Sequence, residues 1–301
     1  MTLPGSFHFT QSSLQDYLDC PRRFQLRYVL DQPWPAVESE PLIERERLAD
    51  LGRRFHQMAQ RHTVSLPVEQ IAASAQDADL ARWWWNYLNV PPRDLPSAVR
   101  RAEVTLTAPL ARPLLLPAPS LSQAWEREGV GGWARARGRL TAKYDLLALD
   151  PGHRAVIVDW KTERKRPART QLAARTQTRV YRYVLVEAGA ALNGGRPIEP
   201  EQVTMVYWFA AFPAEPEVFR YDSAQHAEDA AFLSGLVEEI ASAGIGMPAH
   251  AEAEWLKTDD EKRCHYCTYR SLCDRGTTAG IGDETEVDLD IELEKVEEIA
   301  Y

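Results

Sequence analysis

The chain has 301 residues, is 45% hydrophobic, 9% aromatic and 26% charged, and carries a formal net charge of −9; that is enough apolar material for a packed core and enough length for one large or two small domains. No stretch of about 18 apolar residues occurs, and the first residues lack a charged start followed by an apolar run. A membrane span and a secretory leader are therefore not expected, and the chain reads as soluble and cytoplasmic. It also lacks a G-x-x-x-x-G-K-[ST] loop, which excludes a nucleotide-binding P-loop of its own.

The negative charge is unevenly placed. Residues 283–301 hold nine acids and one lysine, −8 of the total, so residues 1–282 carry only −1. This division predicts one domain over 1–282 and an acidic, flexible tail over 283–301. DNA mimicry by the tail is a minor alternative.

In chain order, Thr10, Ser12 and Ser13 offer N-cap oxygens for a first short helix, and Cys20-Pro21 ends it and opens a second with proline at N1. From Glu40 to His62 the apolar residues Leu42, Leu48, Leu51, Phe55, Met58 and Ala59 recur at helical spacing. The stretch from about 65 to 100, bounded by prolines and containing Trp83-Trp84-Trp85, reads as a helical insertion whose tryptophans mainly pack in the core, with base stacking as the alternative. Glu103 to Leu110 alternates as a strand.

The central expectation is a hairpin. Gly138 to Leu149 and Ala155 to Lys161 have strand character, and Asp150-Pro151-Gly152-His153 between them is turn chemistry. A loop centred on Gly152 places Asp145 opposite Asp159. Opposed side chains on antiparallel strands stand about 5 Å apart, and two carboxylates there need a neutralising charge. A divalent cation supplies it, because hard cations take carboxylate oxygens. Asp159 and Lys161 share a strand face, so the hairpin aims an ammonium at the same place. An ordinary surface hairpin with a cross-strand Asp/Lys pair is the competing reading.

Beyond the hairpin a helix is predicted over Thr170 to Glu187, with Gln177 and Tyr181 at i, i+4, placed to reach substrate or to order Lys161. Eight basic residues lie between 161 and 182 (Lys161, Arg164, Lys165, Arg166, Arg169, Arg175, Arg179 and Arg182) against the single acid Glu163. Seven of them, all but Lys161, are candidate contacts to a DNA backbone. A buried strand at Val203 to Ala210 and a helix at Ala224 to Ile240 complete a mixed sheet flanked by helices. Finally, Cys20 and Cys264-x2-Cys267-x5-Cys273 account for all four cysteines and read as one metal centre joining the two ends of the chain, either zinc or iron–sulfur.

Taken together, Ser12 to Phe24, Leu51-Gly-Arg-Arg-Phe-His56, Asp145, Asp159-Trp-Lys161, Gln177-x3-Tyr181 and the cysteine triplet resemble the PD-(D/E)XK nuclease superfamily. The likeness is to its RecB-like branch with an iron–sulfur cluster, which includes the AddB nuclease domain and CRISPR-associated exonucleases. The resemblance implies an α/β restriction-endonuclease-like core and a 4Fe–4S cluster on Cys20, Cys264, Cys267 and Cys273. It implies that His56, Asp145, Asp159 and the Trp160 carbonyl hold Mn²⁺ or Mg²⁺, with manganese favoured by the imidazole. Glu103 matches a further acid of the family, whereas Tyr144 stands where the family has proline, and the second acid is Asp159 rather than Glu. The expected activity is that of a DNA exonuclease in repair or recombination. Its alternatives are a CRISPR spacer-acquisition nuclease and an inactive iron–sulfur DNA-binding module serving a helicase or nuclease partner.

Overall fold

A computed structural model describes residues 7–33, 40–110, 138–243, 254–265 and 267–276; the acidic stretch 283–301 lies outside the described residues. A six-stranded mixed sheet forms the centre, from β1 (His8–Thr10), β2 (Val99–Pro109), β3 (Arg139–Asp150), β4 (Arg154–Lys161), β5 (Val203–Phe209) and β6 (Glu217–Arg220). The order is β1-β3-β4-β5-β6, with β2 on the other edge of β3. Pairs β1/β3 and β4/β5 are parallel, and the rest are antiparallel. β1 and β6 were not foreseen in the sequence, being short strands of three and four residues.

The β3/β4 register is the one predicted from the turn. Leu146 pairs with Val158 and Leu147 with Ile157, and Gly152 makes the turn at φ +80°, a conformation glycine adopts without penalty. β2 pairs with β3 from Arg139 to Leu149, so β1 at Arg139–Thr141 and β4 at Leu146–Asp150 must share the opposite edge. Among the described residues, positions 142–145 of that edge therefore have no strand beside them. The sheet forks there.

Helices cover both faces. α1 (Gln11–Asp19), α2 (Pro21–Phe24), α7 (Thr176–Ala188) and α8 (Ser223–Ala243) pack on one, where Leu14, Phe24, Val180, Val184, Leu233 and Val237 meet Leu147, Ile157, Met205 and Phe209. α3 (Glu40–Thr63), α4 (Val68–Ala72) and α5 (Ala78–Asn89) cover the other, where Leu51, Phe55, Met58 and Trp83 meet Val158, Trp160 and Trp208. Phe55 and Trp208 stack at 6.1 Å, and the Trp208 indole donates to the Val90 carbonyl. Of the three consecutive tryptophans, Trp83 and Trp84 are buried and Trp85 is exposed, as consecutive helix positions require.

The single helix expected from Thr170 is two: α6 (Arg169–Ala174) ends at Arg175, whose backbone is extended, before α7 begins. At the break Arg175 pairs with Glu163 at 3.2 Å and the Thr176 hydroxyl donates to the Gln11 carbonyl at 2.9 Å. The α2 region meets the segment after α8 through Trp255, which stacks on Phe24 at 5.8 Å and donates its backbone N–H to the Gln25 side-chain oxygen.

On the α7/α8 side Asp229 is 2% exposed and accepts from Arg179 (2.7 Å), Arg182 (3.3 Å) and the Tyr221 hydroxyl (3.0 Å). Burial raises its carboxyl above the ordinary value and the Arg182 charge opposes this. Removing one member of a buried pair strands the other. Asp229→Ala is expected to cost about 3 kcal/mol, read as a lower urea midpoint with unchanged slope.

Candidate active site

Three elements converge where the sheet forks. β3 brings Asp145, β2 brings Glu103, and α3 brings His56, whose Nδ1 lies 3.0 Å from Asp145 Oδ1. The ligand atoms of His56, Glu103 and Asp145 all lie within 4.8 Å of one another, the only such group among the described residues. An imidazole and two carboxylates form a donor set suited to Mn²⁺ or Mg²⁺. Burial first, then the charge of Asp145, raises the Glu103 carboxyl above its usual value, and Lys143 (2.9 Å) and His56 act in the opposite direction. The site is thus short of positive charge.

Local backbone geometry creates this grouping. Along β2/β3 the pairs Ala102/Leu146 and Val104/Tyr144 flank Glu103 and Asp145, which are themselves unpaired. Tyr144 and Leu147 both enter the core on the α7 side, so the inward alternation of β3 skips a residue between them. Glu103 has φ +55°, a left-handed conformation costing a non-glycine residue about 1–2 kcal/mol. Strain of this kind is found where a site demands it.

Asp159 and Lys161 stand on the other side of the fork, 3% and 2% exposed. Lys161 Nζ is 3.1 Å from Asp159 Oδ2, and Gln177 joins them, donating to Asp159 Oδ1 at 2.8 Å and accepting from Lys161 at 3.0 Å. The ammonium also lies 5.4 Å from the Tyr207 ring centre, within cation–π range. Asp145 is tied back to this strand by the Trp160 N–H, which donates to its Oδ2 at 2.8 Å. Asp159 is outside the His56/Glu103/Asp145 group. Tyr181 is buried against Tyr144 at 5.0 Å and its carbonyl accepts from the Tyr144 hydroxyl; it supports the strand behind the site.

The basic run divides by burial. Arg164, Lys165, Arg166 and Arg169 are exposed, Arg175 and Arg179 half-buried, and Arg182 buried. Arg166 and Arg169 both pair with Glu217, Arg175 with Glu163, and Arg179 and Arg182 with Asp229. The Arg182 guanidinium also donates to the Thr178 carbonyl, so it is committed inside the fold rather than turned to a phosphate backbone. Glu217 and Asp229, the acids that balance the run, lie far along the chain, which is why the local charge count overstated the patch.

Cys20, Cys264, Cys267 and Cys273 line one pocket with Arg23, Lys257, Arg263 and Arg275, and none is in a disulfide. Their sulfurs do not form a group within 4.8 Å of one another among the described residues, so the expected cluster is not displayed. Burial pushes the Cys267 thiol up to about 11, and burial likewise raises Cys264 and Cys273.

The forked mixed sheet and the convergent His56, Glu103 and Asp145 define an α/β protein with a candidate divalent-metal site. Over residues 8–274 the chain matches the family model of the PD-(D/E)XK nuclease superfamily, and it belongs to that superfamily. Membership implies metal-dependent nuclease activity on a DNA substrate. A solved chain described as the crystal structure of SSO0001 aligns over 89% of this chain and 86% of its own, with 12% identity and a TM-score of 0.36, a likeness too distant to carry an argument. No curated protein matches the sequence. No helix among the described residues is long and apolar enough to cross a membrane.

Two residues were missed as site components. Lys143 stands two positions before Asp145, a spacing that puts both on one face of a regular strand and was open to the same reading as Asp159-x-Lys161. Gly52 is one helical turn before His56, and a Cβ there would meet Thr162 Oγ1 at 3.0 Å, so its lack of a side chain lets α3 approach the end of β4. Gly52→Val is expected to weaken Mn²⁺ binding about tenfold or more by displacing His56, a magnitude typical of residues supporting a ligand. Titration calorimetry checks this, and adding Thr162→Ala should restore part of the loss.

Proposed function

We propose that the protein is a metal-dependent DNA nuclease that hydrolyses phosphodiester bonds at DNA ends or in single strands, in repair or recombination. The observation that carries this reading is the buried Lys161 ammonium fixed by Asp159 and Gln177 beside the His56, Glu103 and Asp145 group. Those three residues would hold the divalent cation with the Trp160 carbonyl, while Asp159, committed to Lys161 and Gln177, would orient the ammonium instead. The chemistry supplied by such a cation when bound is polarisation of the scissile phosphate and a lowered pKa for the attacking water.

The protein's own residues do the rest. Lys161, held on two sides, keeps its charge directed at the reacting phosphate and needs no reorganisation during the step. Gln177 fixes both partners in one orientation because its amide donates to one and its carbonyl accepts from the other. Exposed Arg164, Lys165, Arg166 and Arg169 follow the catalytic strand directly and provide backbone contact, with Arg175 and Arg179 at its margin. An inactive DNA-binding module would not need Lys161 so firmly placed. A helicase partner or a CRISPR adaptation complex is a matter of context compatible with the same chemistry.

The four cysteines fit a 4Fe–4S cluster: four thiols share one pocket, and the surrounding arginines and lysine favour thiolates that burial alone disfavours. A cluster there would serve as a structural tie between the chain's ends. Cys267→Ala is expected to lose iron and brown colour after anaerobic purification and to melt at lower temperature. A colourless wild-type protein with bound zinc would refute the cluster.

On end-labelled single and double strands with Mn²⁺, Lys161→Ala should reduce cleavage at least 100-fold; it should also lower the melting temperature, because the buried Asp159 loses its partner, and circular dichroism at the assay temperature checks that the variant is folded. The rate should be higher with Mn²⁺ than with Mg²⁺. Undiminished cleavage by Lys161→Ala would sink the assignment.

A further inference from the structure

A second lysine stands at the mouth of the site. Lys143 is on β3 between Ala142 and Tyr144, both buried, and its Nζ lies 2.9 Å from Glu103 Oε2. Its side chain is 38% exposed and that of Glu103 23%, so the pair sits at the border between the half-buried acids and solvent. The arrangement differs from that of Lys161, which is 2% exposed and anchored by both Asp159 and Gln177. One of the two ammonium groups is fixed, and the other is on a long chain reaching to water.

The reason for the second charge lies in what surrounds Glu103. Its carboxylate is forced close to Asp145 by the interrupted β2/β3 ladder and by its own left-handed backbone. Two acids brought together in a partly desolvated place repel each other, and a neighbouring cation is what makes the arrangement tenable. The imidazole of His56 answers Asp145, and Lys143 answers Glu103. The same Glu103 belongs to the group whose ligand atoms converge within 4.8 Å. An ammonium and a divalent cation both favour that carboxylate, and they repel each other.

We propose that Lys143 is the resident counter-ion of the metal site: it occupies Glu103 in the metal-free protein, is displaced when a divalent cation enters, and then offers its ammonium to a phosphate of the bound strand. This rests on the nuclease reading above. Lys143 thereby lowers metal affinity while stabilising the metal-free site, and it links arrival of the cation to a new strand contact. Lys161 has no such freedom.

The test uses the full-length protein and Mn²⁺ alone, measured by titration calorimetry. Lys143→Met should bind Mn²⁺ at least fivefold more tightly than wild type and melt at a lower temperature in the presence of chelator. Because the effect passes through Glu103, the gain should vanish when Glu103→Gln is also present, a double-mutant cycle that separates it from a general loss of positive charge. Lys143→Arg, which keeps the charge, should bind Mn²⁺ within about twofold of wild type. In a Lys161→Ala background with Mn²⁺, Lys143→Met should weaken DNA binding and reduce the slope of log affinity against log salt by about one.

Unchanged or weaker Mn²⁺ binding by Lys143→Met overturns the proposal, as does a gain that persists in Glu103→Gln. Should Lys143→Met fail to fold, Lys143→Gln answers the same question with a polar side chain of similar length. A wild-type protein that binds no Mn²⁺ would instead refute the metal site itself, so the two failures are distinguishable.

Discussion

The structure turns on the demands placed on one strand. β3 is paired along one edge by β2, while β4 and β1 divide its other edge between them. Where they part, the backbone of β3 gives up strict alternation, Asp145 is left out of the ladder, and the Trp160 N–H of the departing strand is satisfied by the Asp145 carboxylate instead of a carbonyl. An unpaired amide in a half-buried place is costly, and here a functional side chain covers it. Charge, backbone pairing and chemistry are thus settled by a single contact. The surrounding layers bury Phe55 and Trp208 on one face of the sheet and Ile157 and Phe209 on the other.

The two sides of the fork are built differently. Around Lys161 the buried groups hold one another: the ammonium pairs with Asp159 and Gln177, the Asp159 carboxylate with both, and the Tyr207 hydroxyl with Thr178. Such a network is rigid, since an alternative arrangement would leave a charge buried without a partner. Around Asp145 the partners are more exposed and the acids outnumber the nearby cations. The rigid half is suited to orienting a reaction and the electron-rich half to receiving an ion.

Much of this was legible beforehand, because turns and strand periodicity are local. Gly152 set the hairpin register, which holds from Asp150/Arg154 to Leu146/Val158; the expected opposition of Asp145 and Asp159 does not follow from it, because the ladder ends one pair short. The helix carrying His56 and the helical segments before β2 could be read from apolar spacing and prolines. What escaped depended on contacts across the fold. The pleat change at Asp145 and the left-handed Glu103 have no sequence signal in an ordinary strand, so Asp145 joins Glu103 and His56 while Asp159 joins Gln177. The Lys161–Arg182 run looked like an open basic surface because Glu217 and Asp229, which absorb much of its charge, are 40 or more residues away from the arginines they meet.

The clasp between Phe24 and Trp255 bears on how the chain acquires its form. Gln25 and Trp255 are 230 positions apart, so their hydrogen bond closes a loop of that length. Loops of that span form late, because the entropy lost on closure is repaid only after the intervening parts are in place. Until Trp255 docks, Tyr17 and Phe24 on the first two helices therefore lack one of their aromatic neighbours.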